Sequence, residues 1–559
     1  MGLFSRHSPV ALLLTGVAFS GAAAPLSPAD RNAVQQQQQQ LLDQSQQQRD
    51  ELQRATPLPR VAPSTEPERA GGPCFTLSNI TLQGATLIPA RDQQKLTQPW
   101  QGRCLNIAQI TQLTNQISDW YIQRGYITSR AYLTEQDLSR GELHIAVLEG
   151  RLQQIRLEGV PERTLKMTFP GLEGKPLNLR DIEQGMEQIN RVRTTPVQIE
   201  ILPGDRPGES IVNLTAKPEF PLQASVSFDN SGQKSTGVGQ ITGSLVGNNL
   251  LGLADKWFIS GGRSSAFSHS RDAKNLAAGV SLPYGYGLFD YTYTWNDYLN
   301  VINVIDNGGY NWRSTGDTET HRFNYSHVLF RNGDLKTGVS LGLNHRVNRN
   351  FLDGVKLESS SQEFTSLLFG LNHTQKILGG VATFNPTFSR GMPWFNATDD
   401  HLYPDQPKAQ FRKWSVNASW QRGLTDKLWW LSSVYWQWSP DRLYGSERLS
   451  IGGESSVRGF KEQYISGDNG GYWRNEINYT LFAMPVLGQI GTMAALDGGW
   501  LKKDASDQYA AGTLWGGAVG LTSAGRWFSS QFTIGTPLAY PGWLAPDHLN
   551  IYYRISVAL

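Results

Sequence analysis

Apolar and polar side chains alternate in one short segment after another from about residue 223 to residue 559. The alternation has no exception in residues 289–296, and it recurs in residues 477–481 and 551–559. A period of two predicts β-strands with one apolar face. Aromatic residues crowd many of these segments, most densely in residues 429–438. An apolar exterior with aromatic borders and a polar interior is typical of a transmembrane β-barrel, whereas a soluble sandwich would not need so many aromatic residues on one face.

The length of this region predicts the size of the barrel. Residues 223–559 suit about 16 strands together with their turns and loops. A barrel of that size leaves an aqueous lumen, so another part of the chain must close it at rest. We therefore predict a membrane β-barrel domain at residues 218–559, in which the strand pattern starts at about residue 223, after the break at residues 217–221.

The pattern before the barrel is an internal repeat. Residues 80–84, with the sequence ITLQG, recur as IRLEG at residues 155–159. Each copy predicts the order strand, helix, helix, strand, strand; in the first copy, apolar residues keep helical spacing from Ile107 to Tyr121. We predict two small α+β domains in tandem, at residues 74–150 and 151–217, each with exposed edge strands.

The N-terminal segments predict export. Basic residues precede a short apolar run, and Ala22, Ala23 and Ala24 supply small residues for cleavage, so residues 1–24 are predicted to be a signal peptide. Residues 25–55 are rich in glutamine and form no broad apolar stripe. They suit either a helix placed in a water-filled channel or a disordered tract. Residues 56–73 are proline-rich and predict an extended linker.

Composition narrows the chemistry of the chain. The formal net charge is +2 and no basic patch is apparent, so we expect no nucleic-acid partner. The two cysteines, Cys74 and Cys104, lie in the exported part, which favours a disulfide over a metal site. The GxSxG pattern at residues 338–342 continues as a strand, so we expect no catalytic serine and no enzyme activity. We expect no cofactor and no metal.

A long polar segment at residues 439–472 interrupts the barrel pattern. Its middle contains Val457, Arg458, Gly459 and Phe460. If the segment folds into the lumen, Arg458 needs a carboxylate partner, because an unpaired charge away from bulk water is unfavourable. Strand alternation places both Asp497 and Glu476 on the lumen side, and either could bind a guanidinium through two hydrogen bonds. Alternation alone does not choose between them.

These residues resemble the TpsB outer-membrane transporters of two-partner secretion, within the Omp85 superfamily. That family has a Val-Arg-Gly-Phe/Tyr motif at the tip of its sixth extracellular loop, which matches residues 457–460. The segment YIQRGYITSRAY at residues 121–132 is similar to the first POTRA domain of the family, as is a Cys74–Cys104 bridge. The resemblance covers the plug helix at residues 25–55, the linker, two POTRA domains and a 16-stranded barrel.

The resemblance implies how the parts work. The loop would fold back into the barrel, and its arginine would meet an aspartate on the inner wall. Residues 496–498, with the sequence LDG, match that wall and select Asp497 over Glu476. The protein would export one large, unfolded exoprotein of the TpsA type without ATP, with its POTRA domains in the periplasm. Its other expected partners are outer-membrane lipid and the barrel-assembly machinery, and it would act as a monomer.

Two other functions share part of this architecture. An Omp85-type assembly factor also carries POTRA domains and the loop motif, but such factors usually have more POTRA domains and no plug helix. A diffusion porin shares the barrel but has no need of the repeat before it. The two-partner transporter is therefore the predicted function.

Overall fold

The computed structural model describes residues 27–54, 73–304, 310–400, 406–504 and 511–559. The predicted signal peptide at residues 1–24 lies outside these residues, as does the predicted linker up to residue 72. The first element is helix α1 (Pro28–Arg54), which begins where Ser27 accepts a hydrogen bond from the backbone N–H of Asp30. None of the described helices is long and apolar enough to cross a membrane.

The first α+β domain contains five strands and two helices. They are β1 (Phe75–Leu77), β2 (Asn79–Gln83), α2 (Ala90–Thr97), β3 (Arg103–Leu105), α3 (Ile107–Gln123), β4 (Arg130–Leu133) and β5 (Glu142–Leu148). A capping box between Asn106 and Gln109 starts α3, and the apolar face of this helix packs against the sheet β2–β5–β4. Ile107, although it keeps the helical spacing, is exposed at the first turn.

Strands β1 and β3 were not predicted from the sequence. They pair Thr76 with Cys104 and bring Cys104 beside Cys74, to which it is joined by a disulfide. Three-residue strands carry too little alternation to be recognised from a pattern. The second domain has the predicted element order: β6 (Arg151–Leu157), α4 (Glu162–Thr168), α5 (Leu179–Asn190), β7 (Gln198–Pro203) and β8 (Glu209–Thr215).

Sixteen antiparallel strands form the closed barrel, so the predicted fold class is confirmed. Three short strands lie outside the count: β16 (Val355–Lys356), β21 (Leu449–Ile451) and β22 (Ile465–Gly467). The barrel strands are β9 (Leu222–Asp229), β10 (Gln240–Asn248), β11 (Lys256–Ser264), β12 (Arg271–Tyr284), β13 (Gly287–Val304), β14 (Tyr310–Arg331), β15 (Leu335–Leu352), β17 (Glu363–Ile377), β18 (Gly380–Met392), β19 (Arg412–Gly423), β20 (Leu428–Trp438), β23 (Gly470–Met484), β24 (Gly488–Leu501), β25 (Gly512–Ala524), β26 (Phe528–Ala539) and β27 (Asn550–Ala558).

The two ends of the barrel differ in what covers them. Strand β9 leaves the second α+β domain and begins at one end, which we call the domain end; the opposite end is the far end.

Strand β23 begins at Gly470, so the predicted long segment at residues 439–472 is three residues too long and its loop is residues 439–469. The sequence did not predict this start because glycines are poor strand formers. Here they are required, since a Cβ at Gly471 would lie 2.6 Å from the carbonyl oxygen of Tyr435.

The second α+β domain is docked on the barrel turns at the domain end. The hydroxyl of Thr164 donates to the carbonyl of Gly252 at 2.8 Å, and the hydroxyl of Tyr286 donates to Asp181 at 2.6 Å. Two glutamines of α5, Gln184 and Gln188, point at the carbonyl of Gly285. Helix α5 therefore lies across the mouth of the barrel.

A charged cluster fastens this contact. Glu187 of α5 lies 3.0 Å from Arg331 and also pairs with Lys336. Burial raises the pKa of Glu187, but the attraction of Lys336 and Arg331 outweighs burial, and the pKa lies below its ordinary value of 4.5. A carboxyl with a lowered pKa stabilises the docked state only while it is ionised. This contribution is therefore complete above pH 4.5 and is lost as the pH falls through the lowered pKa.

The substitution Glu187→Gln tests this contact. It removes the negative charge that Glu187 places between Arg331 and Lys336, and we expect hydrogen exchange in α5 and residues 285–287 to become about tenfold faster. The measurement uses the full chain in detergent micelles. Glu200→Gln, at an exposed carboxyl of the same domain, is the matched control. Equal hydrogen exchange in the wild type, Glu187→Gln and Glu200→Gln would show that the charged cluster does not hold the second α+β domain on the barrel.

Candidate functional site

Residues 439–469 fold inward and occupy part of the barrel lumen. Strands β21 and β22 pair as a short hairpin inside this loop. Val457 and Phe460 are fully buried and pack in an apolar cluster with Ile451 of the hairpin and with Leu501 and Leu514 of the barrel wall. An apolar core inside a polar lumen attaches the loop to one side of the wall.

Arg458 projects from this loop into a pair of carboxylates. Its Nε donates to Oδ2 of Asp497 at 2.6 Å, and its Nη2 donates to Oδ1 at 2.7 Å. Its backbone N–H donates to the same aspartate at 3.0 Å, and its Nη1 donates to Oε1 of Glu476 at 2.8 Å. The structure thus brings Arg458 to both carboxylates, and the sequence-based choice of one over the other was unnecessary.

The charges of this cluster balance. Asp497 is fully buried and Arg458 is 2% exposed. Glu476 also accepts from Arg474 at 3.1 Å, so two cations face two carboxylates. Removing one partner from such a buried cluster is expected to be strongly destabilising, because it leaves the other charges uncompensated.

Glycines in the wall allow the loop to lie this close. Gly516 stands opposite Asp497 in the register of β24 and β25, and a Cβ there would lie 1.7 Å from the carbonyl oxygen of Arg458. Gly459 has φ = 100°, and a Cβ on it would lie 2.4 Å from the carbonyl oxygen of Thr536. The glycine of the motif is therefore required both for its backbone conformation and for its close contact with β26.

Helix α1 occupies another part of the lumen. Near its N-terminus, Asp30 accepts from Thr318 of β14 at 3.3 Å. Near its C-terminus, Arg49 donates to Gln421 of β19 at 3.2 Å and also to Ser419. The helix therefore runs from the far end towards the domain end, and of the two sequence-based alternatives the structure has the helix in the channel.

The helix also contacts the inward loop. Gln38 donates to the carbonyl of Ser450 at 2.9 Å and accepts from the hydroxyl of Ser455 at 3.0 Å. The guanidinium of Arg31 lies over the ring of Tyr464, 4.4 Å from its centroid. These contacts are polar or electrostatic. Water can replace such contacts readily. It cannot as readily replace the apolar cluster and the buried ion pairs that hold the loop.

A cavity of about 600 Å³ remains between the helix and the wall. The glutamines of α1 line one side of it, among them Gln40 and Gln44, and Gln184 and Gln188 of α5 line the side at the domain end. The lumen is thus closed by a glutamine-rich helix that hydrogen-bonds polar groups of the wall and of the loop.

The GxSxG pattern at residues 338–342 is the remaining sequence motif. Ser340 of the GxSxG pattern lies within β15 rather than on a strand-to-helix turn. Within the parts of the chain that the structure describes, no cluster of histidine, cysteine, aspartate and glutamate could hold a metal ion. The hairpin of β21 and β22 and the contacts of Gln38 were not predicted, because a single sequence carries no clear signal for either.

Comparisons with known proteins agree with this architecture. The family model described as haemolysin secretion/activation protein ShlB/FhaC/HecB matches residues 208–523. The model of the ShlB-type POTRA domain matches residues 75–150, and a second POTRA model matches residues 151–203.

Curated relatives are similar over most of the chain. The outer membrane transporter CdiB of Escherichia coli is 62% identical over 546 residues, which are 97% of this chain and 92% of that protein. The hemolysin transporter protein ShlB of Serratia marcescens is 32% identical over 75% of each chain. The solved structure of CdiB from Escherichia coli superposes with a TM-score of 0.93 over 96% of this chain and all of that chain.

The substitution Arg458→Lys tests the attachment of the loop. A lysine keeps the charge but cannot form two parallel hydrogen bonds to Asp497, so we expect residues 439–469 to be cleaved by protease at least tenfold faster. The matched control is Arg263→Lys, at an exposed guanidinium that also binds an aspartate, Asp272, through more than one hydrogen bond. Unchanged cleavage of the Arg458 variant would contradict the inferred role of the cluster.

Proposed function

Because the chain belongs to the ShlB/FhaC/HecB family of haemolysin secretion/activation proteins, we propose that it exports one large exoprotein partner through the lumen described above. The protein is an outer-membrane transporter of two-partner secretion, with POTRA domains in the periplasm. The domain end of the barrel is therefore periplasmic and the far end is extracellular. The relatives are named transporters, which favours export over the assembly of other barrels.

The cargo crosses as an unfolded chain and is captured by the POTRA domains. Edge strands support this step, since an extended peptide can add to an exposed sheet edge through main-chain hydrogen bonds. Strand β4 is such an edge in the sheet β2–β5–β4, and Tyr132 on it is 46% exposed. The alternating side chains of an added strand would find an apolar contact there.

The lumen opens when α1 leaves it. The support for this step is the contrast between its polar contacts and the apolar, ion-paired attachment of the loop. Departure of the helix exchanges protein–protein hydrogen bonds for bonds to water at little net cost. The loop stays against the wall, held by Arg458, Asp497 and Glu476, and gives the channel one fixed side.

The driving force requires no catalysis by this chain. No GxxxxGK[ST] phosphate-binding loop occurs in the sequence. Folding of the cargo outside the cell makes its return unfavourable and supplies direction. One chain is the working unit; its barrel lies in outer-membrane lipid after insertion by the barrel-assembly machinery. The cargo is proposed to be of the kind that CdiB transporters export, since CdiB of Escherichia coli is 62% identical.

The first test of this function is secretion by single-site variants. Arg458→Ala and Asp497→Ala each leave an uncompensated buried charge, so we expect the barrel to be inserted but the cargo in the medium to fall at least tenfold. Heat-modifiable migration of the barrel and the amount of cargo in the supernatant are measured together, with Arg263→Ala as the control. Unchanged export by both variants would exclude the proposed role of the pair.

The second test holds the helix in place. A short thiol-reactive crosslinker between Gln38→Cys and Ser455→Cys joins α1 to the loop at a point where the side chains are 3.0 Å apart. We expect secretion to stop after crosslinking. Ser225→Cys with Ser244→Cys, on neighbouring wall strands, is the control pair and should still secrete. Export through the crosslinked helix–loop pair would show that the helix need not leave.

A further inference from the structure

Two arginines face each other on the outer wall of the barrel near its extracellular end. Arg390 of β18 and Arg412 of β19 are directly opposite in the strand register. They point outward, because Phe388 and Trp414, two residues nearer the membrane centre on the same strands, face lipid with ring centroids 4.6 Å apart. Like charges directly opposite on neighbouring strands repel, so this pair is unfavourable without an anion.

Only part of this charge is neutralised by the described residues. Arg412 binds Asp441 through Nε at 2.9 Å and Nη2 at 3.0 Å. Lys408 approaches the same aspartate at 3.7 Å. Arg390 is exposed and has no hydrogen-bonding or ionic partner among the described residues. Arg412 and Lys408 thus share one carboxylate, and the charge of Arg390 stands opposite Arg412.

Exposed aromatic rings of the loop after β18 lie on the same outward face of the barrel, over the neighbouring strands β17 and β15. The loop after β18 turns down over the outside of the barrel, where Thr365 donates to the carbonyl of Trp394 at 2.8 Å and the ring of Phe395 meets His345 edge-on at 5.7 Å. Thr365 and His345 are paired in the register of β15 and β17 on the outward face. Trp394 is 42% exposed and Phe395 is 61% exposed, so their rings project from the lipid-facing wall.

The backbone holds these rings in place at some cost. Phe395 and Asn396 both have positive φ, 55° and 59°. The side chain of Asn396 donates to Glu363 at 3.3 Å, and the backbone N–H of Thr398 donates to the carbonyl of Glu363 at 2.8 Å. Two consecutive left-handed residues other than glycine need such fastening. The loop is therefore built to present Trp394 and Phe395 outward.

We propose that this surface, formed by Phe388, Arg390, Trp394, Phe395, Arg412 and Trp414 and called the rim site, binds a phosphorylated lipid of the outer leaflet. The guanidinium of Arg390 binds the phosphate through its planar fork. Arg412, whose Nε and Nη2 already bind Asp441, contributes its positive charge and its remaining N–H groups. The acyl chains lie on the aromatic rings, which continue the lipid-facing wall. The membrane lipid is favoured over free phosphate because the cations stand directly above that apolar surface.

The experiment uses the full-length protein in detergent micelles and diphosphoryl lipid A with a fluorescent label as the probe. We expect saturable binding that Arg390→Gln weakens about tenfold, since one charge-assisted contact is removed. Arg390→Lys keeps the charge and should retain more affinity than Arg390→Gln. Lipid A without its phosphates should bind the wild type and Arg390→Gln with equal affinity, because it lacks the group that Arg390 binds. Heat-modifiable migration shows that each barrel is folded.

The matched control lies on the same strand at the opposite end. Arg422 of β19 is exposed, and it shares the outward face with Arg412 at the periplasmic end. Arg422→Gln should bind the probe as the wild type does. The rim site is wrong if Arg390→Gln binds as tightly as the wild type, or if Arg422→Gln loses as much affinity. Displacement of the probe by an equal concentration of inorganic phosphate would also overturn it, because it would indicate an anion site that does not select lipid.

Discussion

Arg458 carries a positive charge into a space where it is 2% exposed, and much of the surrounding structure serves to make that position stable. Asp497 supplies both of its oxygens, and Glu476 binds the remaining face of the guanidinium. Both carboxylates come from the wall, on β24 and β23. The loop must therefore press against this side, and the wall must be free of side chains that would block it. The glycine at position 516 meets that requirement.

The lumen thus contains two elements that are attached by different kinds of force. The loop combines an apolar cluster with buried ion pairs, which lose stability together if the loop leaves. Helix α1 has polar contacts on nearly every side, and glutamine is a good helix former that needs no apolar partner. A water-filled channel is a place where such a helix can be ordered without being part of a core. The same polarity that excludes it from a core makes it separable from the wall.

The sequence predicted the structure correctly where the pattern of apolar and polar side chains alone determines it. Alternation predicted the barrel and placed Asp497 and Glu476 inside. The repeat predicted two domains whose element order is the same apart from the short strands β1 and β3 of the first. The sequence could not decide whether residues 25–55 are helical, because their order depends on partners distant in the sequence, such as Ser419. Asp497 and Glu476 were treated as alternatives. Strand alternation shows which face of the wall a side chain is on, but it does not give the distance from that side chain to Arg458. Short strands such as β21, and the glycines that begin β23, show too little alternation to be predicted from the sequence.

The position of α5 connects the proposed capture of cargo to the channel. One face of this helix, through Glu187, is fastened to β14 and β15, and Gln184 and Gln188 line the cavity beside α1. A chain held at an edge of the second POTRA domain would therefore lie near the periplasmic end of the plug. The C-terminus of α1 lies at this end, where Arg49 binds Ser419 and Gln421. An arriving polar backbone could compete for those same side chains, so displacement of the helix would begin at the end where cargo enters. A helix held by apolar packing could not be displaced in this stepwise way. Its apolar side chains would have to be exposed to water before the cargo could contact the groups beneath them.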